Sequence, residues 1–304
     1  MKVFIFGAGY SGKAFAAGNP DPGSIAITGT TRSTDKFPAL HTAGVAPLIF
    51  DSASLSSEVR NALAEASHLI VSIAPDDIGD PVLALAEGVI RESMPKLRWI
   101  GYLSTVGVYG DHQGGWVDED GECRPVSRRS VARLQAEQAW QALAHDIARP
   151  LARLRLSGIY GPGRNAFVNL ENGTAKRLVK PGQVFNRIHA ADIAGSLWHL
   201  ARREADGVFN VTDDLPAPPQ DVVAFAAGLM GVAPPPEIPF DTAQLSPMAR
   251  SFYGENKRVS NNRLKSFGYV FRYPDYCAAL QSMLQDGSWS GKGAADARSA
   301  IKPD

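Results

Sequence analysis

A glycine-rich turn, Gly7-Ala8-Gly9-Tyr10-Ser11-Gly12, follows the apolar run Val3–Phe6 and opens a segment, Lys13 to Ala17, that reads as a helix. Strand, glycine turn and helix N-terminus stand in the order that a dinucleotide pyrophosphate requires. Gly7 can take the tight turn, Gly9 lets the backbone approach phosphate oxygens without an intervening Cβ, and Gly12 lets the helix lie close to the strand. The anion would rest on N–H groups at the positive end of the helix dipole, where Tyr10 and Ser11 stand. The competing reading is a glycine turn with a purely structural role.

Short apolar runs recur along the first half with helical segments between them: Val3–Phe6, Ser24–Thr28, Ala46–Phe50, His68–Ile73, Leu97–Leu103 and Ala152–Leu156. Buried parallel strands read as continuous runs of this length, so the alternation predicts an α/β fold, a Rossmann-type doubly wound parallel sheet. Leu55–Ala66, Pro81–Ser93 and Val126–Ala144 are the helices expected between them. After Gly161-Pro162-Gly163 the rhythm breaks, with a helix expected at Asp192–Arg202, a strand at Gly207–Val211 and a helix at Gln220–Met230 between two proline-rich stretches. The expected organisation is a nucleotide-binding domain over 1–165, to which 184–212 returns, and a smaller, partly interleaved C-terminal substrate domain formed by 166–183 and 213–285. Residues 286–304, poor in apolar side chains, read as a disordered tail.

Thirty-one basic residues balance 31 acidic ones. No basic excess marks a nucleic-acid footprint, and no polybasic segment marks a membrane surface, so a small-molecule partner is expected. The two cysteines, Cys123 and Cys277, lie far apart with no metal-ligand spacing, which fits a reducing cytoplasm and no metal site. The N-terminal apolar run is too short for a signal peptide, and no run approaches the roughly 20 apolar residues of a membrane span.

Further segments resemble the extended branch of the short-chain dehydrogenase/reductase superfamily, the NAD-dependent epimerase/dehydratase family. The glycine loop is similar to its phosphate loop, and Leu103-Ser-Thr-Val-Gly-Val-Tyr-Gly110 to the end of its fifth strand. Arg155-Leu-Ser-Gly-Ile-Tyr-Gly-Pro-Gly163 resembles the sixth strand and its loop, and Arg187-Ile-His-Ala-Ala-Asp-Ile193 the approach to a late helix. Lys257-Arg-Val-Ser-Asn261, Leu264 and Phe267-Gly-Tyr269 resemble the C-terminal region. The resemblance implies a homodimer formed through helices that include Val126–Ala144. It also places Ala74 and Tyr160 among the cofactor-contacting positions.

Cofactor choice is read after the second strand, where an acid about 20 residues past the glycines selects NAD and an arginine accommodates the 2′-phosphate of NADP. This chain reads Gly29-Thr-Thr31-Arg32-Ser33 with no acid until Asp35. Arg32, helped by Thr31 and Ser33, favours NADP, with NAD as the alternative; a solvated loop arginine is the other reading. Asp51 would face the adenine edge, or be a plain loop aspartate.

The superfamily's catalytic hydroxyl falls on Thr105, with Ser104 beside it. The resemblance matches Glu137 to the acid four residues after the usual lysine, which puts Arg133 on the lysine position and Arg129 on the tyrosine position. No tyrosine occurs between Tyr109 and Tyr160. An arginine stays protonated and cannot carry the proton, but it can stabilise an oxyanion or clamp a carboxylate. Arg133 and Glu137 could instead form only an exposed i,i+4 pair. The leading expectation is an atypical NAD(P)-dependent oxidoreductase acting on a small polar substrate, with Thr105 and Ser104 organising hydride transfer, Arg129 or Arg133 stabilising oxygen charge, and Tyr109 or water carrying the proton. The alternatives are an inactive NADP-binding sensor and a nucleotide-sugar epimerase or dehydratase.

Overall fold

The computed structural model describes residues 1–246 and 250–291. Its central strands are β1 (Lys2–Phe6), β2 (Ala26–Thr31), β3 (Ala46–Ile49), β4 (His68–Val71), β5 (Trp99–Thr105), β7 (Leu151–Leu156) and β11 (Gly207–Val211). They form one parallel seven-stranded sheet, ordered β11-β7-β5-β4-β1-β2-β3. The chain runs from β1 outward through β2 to β3 and then returns across the sheet to β4 on the other side of β1. That reversal opens a crevice at the carboxyl ends of β1 and β4, where doubly wound sheets bind ligands.

Both faces are covered. Residues of β1 alternate between them: Val3 and Ile5 pack with Phe15 of α1 (Tyr10–Ala17), Leu40 of α2 (Phe37–Thr42) and Leu197 of α7 (Ala190–Arg202). Phe4 and Phe6 pack with α3 (Ser57–Glu65), α4 (Pro81–Glu92) and α5 (Arg128–Asp146). The helix starts follow their caps. Asp80 accepts from the N–H groups of Val82 and Leu83 ahead of Pro81, and Ser127 accepts from that of Ser130.

Of the element limits that differ from the sequence expectation, those of α1 and β2 have clear physical reasons. Helix α1 begins at Tyr10, not Lys13, because its first turn is the glycine loop itself. Strand β2 runs on to Thr31 through Gly29, where a Cβ would meet the Ala8 and Val45 side chains, both at 2.8 Å. The glycine there is a packing requirement and not a strand break.

The remaining strands form two-stranded pairs: β8 (Gly158–Tyr160) with β10 (Arg187–His189), β9 (Arg177–Val179) with β12 (Glu237–Pro239), and β6 (Trp116–Val117) with β13 (Arg258–Val259). The proline-rich stretch after the helix expected at Gln220–Met230 supplies β12. A separate core joins α6 (Ala166–Glu171), α8 (Pro219–Met230) and the helix Tyr276–Gln285. Trp289, 6% exposed, packs into this core against Phe167, and its carbonyl accepts from the Gly163 N–H at 2.9 Å. The tail expected from Asp286 is therefore placed as far as Gly291 by one buried indole; 292–304 lies outside the described residues.

Candidate active site

Gly7 has φ +83°, and a Cβ there would meet Ile73 Cγ1 at 2.8 Å, so the turn between β1 and the β4 side needs glycine. The Gly7 N–H donates to Thr30 Oγ1 at 2.9 Å and the Ala8 N–H to the Thr30 carbonyl at 2.8 Å, which fixes the loop on β2. A Cβ on Gly9 would meet nothing nearer than the Gly7 carbonyl oxygen at 4.0 Å, so the space over it is open. A Cβ on Gly12 would lie 3.6 Å from Ile5, which is the close helix-to-strand approach.

The first N–H to enter the helical ladder is that of Lys13, bonded to Gly9. Among the described residues, no backbone or side-chain acceptor takes the N–H groups of Tyr10, Ser11 and Gly12, and no side chain caps α1. Unpaired donors on a helix N-terminus, with open space over a glycine, fit a pyrophosphate. Tyr10 contributes differently: its hydroxyl donates to the Pro162 carbonyl at 2.9 Å and ties the glycine loop to the Gly161–Gly163 loop.

Arg32 and Ser33 are exposed just beyond β2, next to buried Thr31. The Ser33 hydroxyl donates to Asp35, so that acid is turned onto its own loop. Asp51 is exposed and accepts from the Ala53 N–H at 2.9 Å. Ala74 lies one residue past Ile73, the side chain under Gly7.

At the end of β5 the two hydroxyls part. Ser104 points to α5, where its Oγ donates to Glu137. Glu137, 1% exposed, is held by Arg155 at 2.8 Å in a buried ion pair. The Arg155 guanidinium lies 4.8 Å from the centre of the Tyr109 ring. Tyr109 is 0% exposed, its hydroxyl donates to Asn210 Oδ1 at 2.8 Å, and burial pushes it up to about 12. Ser104 and Tyr109, expected in the chemistry, thus serve a buried network that ties β5, α5, β7 and β11 together. Their hydroxyls are already engaged. The exposed Arg133–Glu137 pair is likewise replaced: Glu137 turns inward to the buried Arg155 on the neighbouring strand.

Thr105 is half-buried and accepts from the Gly107 N–H at 3.1 Å, which leaves its own O–H to donate. A Cβ on Gly107 would meet Ser130 Oγ at 2.9 Å, so the first turn of α5, which carries Arg129, abuts the Thr105 segment. Arg129 is exposed there. One turn on, Arg133 donates to the Leu103 carbonyl and its guanidinium lies 5.7 Å from the Tyr102 ring centre. Two arginines of one helix therefore border the end of β5.

The Gly161–Gly163 loop borders a cavity of about 410 Å³, lined by Tyr160, Arg164, Asn165, Asn169, Arg187 and Tyr276 among others. Tyr160 has its ring edge-on to His189 at 5.3 Å, and its buried hydroxyl has no partner among the described residues. Burial raises its pKa. Sequence reasoning missed Arg164 and Arg187; their proximity depends on the β8–β10 pairing, which spacing alone does not reveal.

Among solved structures, that of a functionally unknown conserved protein from Silicibacter pomeroyi DSS is 44% identical to this chain, covering 94% of it and 99% of its own length with a TM-score of 0.87. The two belong to one family. A protein from Methylobacillus flagellatus assigned as an NAD-dependent epimerase/dehydratase is 27% identical over 93% of this chain and 97% of its own, with a TM-score of 0.69. The human epimerase family protein SDR39U1, solved with NADPH, shares the fold at 18% identity, 94% and 100% coverage and a TM-score of 0.70.

This chain shares the fold of the Methylobacillus flagellatus and human epimerase-type proteins. No family model and no curated protein matches it. Among the described residues, no helix is long and apolar enough to cross a membrane.

Proposed function

We propose that this protein is an NADP(H)-dependent oxidoreductase acting on a small polar substrate. The observation that carries the reading is the open, donor-lined space over Gly9, in the crevice where the sheet reverses direction. The N–H groups of Tyr10, Ser11 and Gly12 would hold the pyrophosphate, and Arg32 with Thr31 and Ser33 the 2′-phosphate of the adenosine ribose. Asp51 would face the adenine and Ala74 the mouth of the groove.

A bound nicotinamide would supply hydride donor or acceptor chemistry. Thr105 donates its O–H to the substrate oxygen, oriented by the bond it accepts from Gly107. Arg133, steadied on the Leu103 carbonyl, and Arg129 stabilise negative charge on that oxygen. Tyr109 is bound to Asn210, so the proton comes from water. Arg164 and Arg187, with Asn165 and Asn169, make the neighbouring cavity suitable for an anionic or strongly polar part of the substrate.

The test follows NADPH oxidation and NADP reduction over a panel of aldehydes, ketones, alcohols and nucleotide sugars. Arg129→Ala is expected to lower turnover by about 10²-fold with cofactor affinity nearly unchanged, the size of effect seen when one oxyanion donor is removed. Tight NADPH binding with no turnover on any member of the panel would favour a sensor that kept the fold and lost the chemistry.

A further inference from the structure

Tyr10 stands in the dinucleotide groove with one group and reaches out of it with another. Its N–H is the first of the three unpaired donors at the start of α1. Its hydroxyl donates to the Pro162 carbonyl at 2.9 Å, 152 residues along the chain. The loop it reaches is shaped around that approach. A Cβ on Gly161, whose φ is +150°, would meet the Tyr10 hydroxyl at 2.7 Å and His189 Nε2 at 3.3 Å, so glycine is what lets the phenol come this close.

The same loop is a wall of the 410 Å³ cavity, through Gly163, Arg164 and Asn165. Its other supports come from elsewhere in the fold. Asn165 Nδ2 donates to the Gly161 carbonyl at 2.8 Å and to the Trp289 carbonyl at 2.7 Å, and the Gly163 N–H donates to that same Trp289 carbonyl at 2.9 Å. Tyr10 holds the loop from the side of the glycine turn. Burial raises the pKa of the Tyr10 hydroxyl and the charge of Arg164 opposes the rise, so the phenol and this guanidinium lie near one another at the loop.

No side chain caps α1, so its first turn gains hydrogen bonds when an anion takes the three N–H groups. Fixing that turn fixes the side chain that grows from it, and with it the Pro162 carbonyl. A ligand that orders a segment lowers the ordering cost met by a second ligand on the same segment, which is positive coupling between their sites. A pyrophosphate held by backbone N–H groups makes no use of the phenol, so the work of the hydroxyl lies on the other loop.

We propose that Tyr10 is a positioning residue that couples the two sites. Occupation of the dinucleotide groove is passed through the Tyr10–Pro162 hydrogen bond to the Gly161–Gly163 loop, and this sets Arg164 and Asn165 at the wall of the substrate cavity. The inference rests on the dinucleotide site proposed above.

Hydrogen–deuterium exchange of the full chain, read by mass spectrometry with and without saturating NADPH, tests this in the parent and in Tyr10→Phe, which keeps the ring and the N–H and removes the hydroxyl. The N–H groups of Gly161, Gly163 and Arg164 are bonded to the carbonyls of Arg164, Trp289 and Gly161, so their exchange reports opening of the loop. NADPH is expected to slow exchange over 7–17 in both proteins, and over 161–165 by about fivefold or more in the parent but less than about twofold in Tyr10→Phe. A hydroxyl with a merely structural role would alter exchange of the loop equally with and without NADPH. That result overturns the coupling, as does equal protection of 161–165 by NADPH in both proteins, or none there in either. Loss of protection over 7–17 in Tyr10→Phe alone would place the hydroxyl in the cofactor site and overturns it too. Absence of protection over 7–17 in the parent overturns the dinucleotide site itself, and the coupling with it, so the two failures are told apart.

Discussion

Glu137 grips Arg155 through two hydrogen bonds, Nε to Oε1 at 3.1 Å and Nη2 to Oε2 at 2.8 Å, in a place where neither side chain meets water. Burial works against the Arg155 charge, and the bonds and attraction of Glu137 outweigh it, so its pKa is raised. Removing one member leaves the other charged and alone. Glu137→Gln is therefore expected to cost about 3–5 kcal/mol of stability. Thermal or denaturant unfolding checks this, and the double substitution Glu137→Gln, Arg155→Met should recover most of the loss. A single variant as stable as the parent would show that the pair is not what locks β5, α5 and β7 together.

His189 caps α7 by accepting the Ala191 N–H on Nδ1 at 3.1 Å, so its neutral ring carries the proton on Nε2. Burial lowers its pKa from 6.5 to about 4, with Arg272 acting the same way and Asp286 opposing. The folded value lies below the unfolded one. Its contribution to stability is thus present above pH 6.5 and is lost as pH falls towards 4. His189→Asn keeps an acceptor for the cap and removes the titration, so its stability should fall less over that window, by up to about 3 kcal/mol. Parallel curves for parent and variant would contradict this.

Arg32 is exposed at the end of β2, and the nearby acid Asp35 is occupied by Ser33. NADPH should bind more tightly than NADH, and Arg32→Ala should narrow the gap by weakening NADPH alone. Fluorescence titration of both cofactors decides it; equal affinities in the parent protein would remove Arg32 from the site.

The sheet was legible because every central strand is a short apolar run, and the glycine loop because a tight turn and a close helix approach each demand glycine. The second apolar run was read only to Thr28, and the strand continues through Gly29 because packing against Ala8 and Val45 leaves no room for a Cβ there. The hydroxyl pair was harder. Ser104 and Thr105 are adjacent, and which of them faces the cleft depends on the Glu137–Arg155 pair, whose members are 18 residues apart. Arg187 was invisible as a functional candidate because its place on the cavity wall depends on the β8–β10 pairing, which only the fold creates.

The most direct measurement is NADPH affinity in Gly9→Val beside the parent protein, with thermal unfolding as the control for folding. The Gly9 Cβ position meets no protein atom nearer than 4.0 Å, so the valine side chain should clash with the pyrophosphate and not with the fold. NADPH binding should weaken by roughly one to two decades, the consequence of about 1–3 kcal/mol of overpacking, with an unchanged unfolding curve. Unchanged NADPH affinity in a folded variant would place the phosphates elsewhere and contradict the dinucleotide site.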